Sequence, residues 1–118
     1  MITEHKLRRI ISAIAPDDVA IVGNEVSLEI INNVLGNSRV IYQKGVGDQN
    51  IDLMPYIQNL HEICEAVLAL YGIYAIFQKK SPDAPPSILV AQIIDSENFV
   101  DEEKIRILKE LSTNVDNQ

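Results

Sequence analysis

The sequence predicts an α+β (or α/β) fold, with one small sheet of about four short strands packed against a long central helix and flanking helices. Three observations point there. Across residues 50–77, Leu53, Ile57, Leu60, Cys64, Val67, Tyr71 and Tyr74 recur in steps of four and three, the period of a buried helix or a helix-pairing seam. Short aliphatic runs such as Val19-Ala20-Ile21-Val22 are bounded by glycine, proline or asparagine and read as strands on length and β-branching. The two kinds of segment alternate along the chain, with no internal repeat, low-complexity segment or linker. An all-α bundle is the runner-up.

Thr3 is placed to cap a first helix whose Leu7, Ile10, Ile11 and Ile14 share one face, and Pro16 is expected to end it. Residues 19–22 follow as the first expected strand, closed by Gly23-Asn24. Asn24 then reads as the N-cap of a second helix through Leu35, striped by Val26, Ile30, Ile31 and Val34, with Gly36-Asn37 as its stop. Residues 39–43 are the second expected strand, and residues 44–50 form the most polar, glycine-rich loop.

The central helix is expected to start near Asp52, with Pro55 in its first turn and Gly72 as its exit. Beyond it, residues 73–77 and 88–94 are expected as an antiparallel pair of strands, joined by a surface loop over 79–87 that carries Pro82, Pro85 and Pro86; if the central helix runs through Gly72, residues 73–77 are instead its last buried turn. A last amphipathic helix over residues 100–111 turns Ile105, Leu108 and Leu111 inward and puts Asp101, Glu102 and Glu103 at its start, where they suit the helix dipole. Residues 1–111 are read as a single globular domain and 112–118 as a polar, frayed tail.

Composition narrows the function. Ten Lys and Arg against seventeen Asp and Glu give a formal charge of −7. That balance leaves no basic face to neutralise a phosphate backbone or an anionic membrane, so neither nucleic acid nor membrane is an expected partner. The one cysteine, Cys64, excludes an internal disulfide and leaves any thiolate metal cluster without partners. Residues 1–14 mix charges with isolated aliphatics and do not resemble a secretory leader. The cleanest apolar run, 66–77, is shorter than the roughly 20 residues a bilayer span needs. A cytoplasmic protein is expected.

Several constellations fall short of a known chemistry. His61-Glu62-Ile63-Cys64-Glu65 places Glu65 where a zinc protease motif needs a second histidine, and Glu62 and Glu65 oppose thiolate formation at Cys64. Gly23-Asn24-Glu25-Val26 has one glycine where a dinucleotide-binding turn needs three. The loop at Lys44, Gly45 and Gly47 offers backbone N–H groups and a cation, without the ending of a phosphate-binding loop. No catalytic residue, cofactor or metal site is therefore assigned.

The expected function is that of a small acidic, non-enzymatic interaction or regulatory protein. It is read as a homodimer formed through the seam of Leu53, Ile57, Leu60, Val67, Tyr71 and Tyr74. The alternative is a small ligand-binding protein or enzyme with its pocket near His61, Glu65 and the loop carrying Lys44, Gly45 and Gly47.

Overall fold

The computed structural model describes residues 2–37 and 52–114. Its elements are α1 (Glu4–Ile14), α2 (Pro16–Val22), α3 (Asn24–Val34), α4 (Met54–Lys80), α5 (Pro86–Glu97) and α6 (Glu102–Asn114). Helix accounts for 82% of the described residues and there is no strand among them, so the α+β expectation is overturned in favour of the all-helical runner-up. The strand expected over residues 39–43 lies outside the described residues.

Each of the other three expected strands is helix for an identifiable reason. At residues 19–22, Pro16 does not merely end α1. It opens α2 from the first helical position, where its missing N–H is no loss, and Asp17 and Asp18 in the first turn complement the dipole. The break between the two helices falls on Ala15, at φ −135° and ψ 63°.

At residues 73–77 the chain stays in α4 because Gly72 inside a helix costs only about 1 kcal/mol relative to alanine, and no stronger breaker follows until Pro82. Ser81 N–H still reaches Phe77 O at 3.0 Å. Pro82 then stops the helix, having no N–H to continue the ladder and disfavouring helical geometry at the residue before it.

Residues 88–94 belong to α5, whose start is Pro85 in extended geometry followed by Pro86 in the first turn. The two prolines thus begin a helix where a loop was expected. Leu89, Val90 and Ile93 are its buried positions, and Asn98, left-handed at φ 55°, ends it while Phe99 N–H bonds Ile94 O at 3.1 Å.

Other boundaries follow the sequence closely. Thr3 Oγ1 accepts from Lys6 N–H at 3.1 Å, and Leu7, Ile10, Ile11 and Ile14 are buried on one face of α1. Asp52 accepts from Met54 N–H at 3.0 Å and Asp101 from Glu103 N–H at 2.9 Å, so each caps the helix that follows it. Gly36 at φ +80° ends α3, and Asn37 N–H closes the turn on Asn32 O at 2.8 Å.

The N-cap of α3 is Gly23, one residue before the expected Asn24. Its φ of +89° and ψ of 164° belong to a region that residues with a Cβ essentially do not occupy. A Cβ added there meets no atom within 4 Å, so the penalty of Gly23→Ala is backbone strain alone. Urea unfolding should show a loss of about 1–3 kcal/mol for this variant.

The chain divides into two compact units, residues 1–65 and 66–118. In the first, α1, α2 and α3 pack on one another pairwise. The opening turns of α4 are tied to them by polar contacts, with Asn59 Nδ2 donating to Asp18 Oδ2 and His61 bonding Asn33. Leu7, Ile10, Ile11, Ile30, Ile31, Ile57 and Leu60 are the large, fully buried side chains here. In the second, α5 packs on α6, and Leu89, Ile93, Ile107, Leu108 and Leu111 are fully buried. Removing such aliphatic surface from water is the main stabilising term in a chain without tryptophan.

Candidate functional site: a polar groove and an open helix face

The four-residue spacing of His61 and Glu65 places both on one face of α4, and the structure keeps them together, with His61 Nδ1 3.7 Å from Glu65 Oε1. It adds a third group from another helix. Asn33, in the last turn of α3, sets its Oδ1 3.2 Å from His61 Nε2. This hydrogen bond holds the imidazole ring between α3 and α4.

These residues line a groove of about 630 Å³ whose remaining walls are Met54, Ile57, Gln58 and Glu62. Among the described residues its lining carries two carboxylates, two amides and one imidazole. Such a surface accepts hydrogen bonds from a donor. Among the described residues no group of three or more His, Cys, Asp or Glu converges to hold a metal ion.

Cys64 neighbours the groove in sequence and is fully buried. Burial in the core, and secondarily the carboxylate of Glu65, push its thiol up to about 12. At neutral pH it is a small hydrophobic side chain.

Lys44, Gly45 and Gly47, expected beside this pocket, lie outside the described residues. The expected interface residues are described and are covered within a single chain. Leu53, Ile57, Leu60, Val67 and Tyr74 are at most 5% exposed, and Tyr71 is half-buried. The seam that reads as a pairing surface is the face α4 turns to the core.

The face of α4 that stays open lies on the opposite side, and sequence reasoning did not single it out. At about 100° per residue, Ala69, Gly72 and Ile76 fall opposite Val67, Leu70 and Tyr74. All three are exposed, Ile76 at 55%. Leu68, Ile73 and Phe77, half-buried, flank them. The signal was available in the sequence, since residues 66–78 contain no charge on any side of the helix. Asn33 was missed too, although Asn32-Asn33 is a polar pair in an otherwise apolar helical stretch.

By length and composition α4 is long and apolar enough to cross a membrane, and 33% of its apolar window is buried inside the chain. The charge-free part, residues 66–78, is about 20 Å of helix, against a hydrocarbon core of about 30 Å. Extending it toward the N-terminus brings in Glu65 and Glu62, at about 2.5–3.5 kcal/mol for each acid near a bilayer centre.

Compared with models of protein families, with curated proteins and with solved structures, the chain matches none.

Proposed function

We propose that this is a small, acidic, cytoplasmic protein that works by association and not by catalysis, as a homodimer in which the open face of α4 is covered by the same face of a second copy. The observation that carries this reading is the uncharged strip of Ala69, Gly72 and Ile76, flanked by Leu68 and Ile73, on a helix whose opposite side is already packed. A helix apolar all round is one that is covered all round. Depletion of charge at the centre of a patch marks an interface core, whereas isolated exposed aliphatics such as Val100 are ordinary. Gly72 and Ala69 also let two backbones approach closely.

Sedimentation velocity of substituted chains tests the reading. Ile76→Asp puts a charge in the middle of the strip and should convert the dimer to a monomer while the helical circular dichroism signal is kept. Val100→Asp, at a position 87% exposed outside the strip, should leave the dimer intact. Equal behaviour of the two variants would refute the assignment of this face.

A further inference from the structure

We infer that the two copies of α4 pair antiparallel about Gly72, with Glu65 of each copy facing Lys79 of the other; the inference rests on the dimer proposed above and adds its direction and register.

In a two-fold antiparallel helix pair centred on one residue, positions equally far before and after that centre meet across the axis. Glu65 and Lys79 are seven residues either side of Gly72 and lie on its side of the helix, since seven residues are close to two turns. The same register sets Ala69 opposite Ala75 and Leu68 opposite Ile76. Gly72 meets itself, and a Cβ built at that position touches nothing within 4 Å of its own chain.

Both charges are available. The Glu65 side chain is 62% exposed, with the imidazole of His61 at 3.7 Å as its neighbour. Lys79 is exposed in the last turn of α4. A parallel pair about the same strip would instead set Glu65 beside Glu65 and Lys79 beside Lys79, and like charges placed together disfavour that arrangement. The strip therefore carries its own direction, with an acid at one end, a base at the other and uncharged residues between.

Charge exchange in the full-length chain, read by sedimentation equilibrium at low salt, is the test. Glu65→Lys and Lys79→Glu should each weaken the dimer about tenfold, since each replaces two attractive pairs by two repulsive ones across the axis. The double variant Glu65→Lys with Lys79→Glu should return to within about twofold of the parent. A Gly72→Cys chain should form a disulfide-linked dimer on mild oxidation, and the unsubstituted chain, whose only thiol is buried, should not. A dimer indifferent to the single exchanges, or not restored by the double one, overturns the register while leaving the dimer standing. A parent chain that is monomeric throughout overturns both.

Discussion

Leu60→Ala should lower the unfolding free energy by about 2–5 kcal/mol, out of the roughly 5–15 kcal/mol that a domain of ordinary stability possesses. Leu60 is fully buried on the core face of α4, in the unit formed with α1, α2 and α3. Truncation removes apolar surface from the core and leaves a cavity that a helix tied at Asn59 and His61 cannot readily collapse. The urea midpoint should fall with the slope unchanged. Arg9→Ala, on the exposed side of α1, should stay within about 0.5 kcal/mol. If Leu60→Ala were equally mild, the core face of α4 would be misassigned, and with it the identity of the open face.

The second large effect appears at alkaline pH. The Cys64 thiol is held at about 12 in the folded chain against 9.0 for the free group, first because it is buried and second because Glu65 is beside it. Below about 9 both folded and unfolded chains keep the thiol protonated, and its contribution to stability is fully present. Between that value and about 12 the unfolded chain ionises while the folded one does not, so stability must fall as pH rises. The full loss is on the order of 4 kcal/mol. Tyrosines and lysines titrate in the same window, so the diagnostic quantity is the difference between the parent chain and Cys64→Ala. That difference should shrink in the parent's disfavour from pH about 8 to about 11. The same burial predicts that thiol reagents label the native chain far more slowly than the unfolded one. Rapid native labelling, or parallel pH curves for the two chains, would contradict the placement of Cys64 in the core.

Helix ends were legible in the sequence where a side chain acts on its own neighbours. Thr3 caps α1 through Lys6 N–H, and Gly36 stops α3 with positive φ, both local events that depend on little else. The seam of α4 was legible as well, in that Ile57, Leu60, Cys64, Val67 and Tyr74 are all buried. What covers that seam was not, because a period of four and three states only that a face is hidden. The same ambiguity produced the expected strands. Ile88 to Ile94 is a short apolar run that periodicity cannot distinguish from a buried helix, and the decision rested on Pro85 and Pro86 read as a loop when they are a helix start. Gly72 was likewise read as an exit, although a single glycine is a weak breaker beside Pro82.

In the groove, the spacing of His61 and Glu65 foretold that they share a face. Asn33, 28 positions earlier, comes to them only through the packing of α3 against α4, a long-range outcome that no local pattern encodes. The open strip of Ala69, Gly72 and Ile76 was legible only by subtraction. Once one side of a charge-free helix is known to face the core, the other side is what remains to be covered.

Sedimentation equilibrium of the unsubstituted chain at micromolar concentration is the most direct measurement of whether that side is covered by a second copy. The expected result is a mass of about twice 13.2 kDa, dissociating on dilution. A single species of 13.2 kDa at every concentration would contradict it.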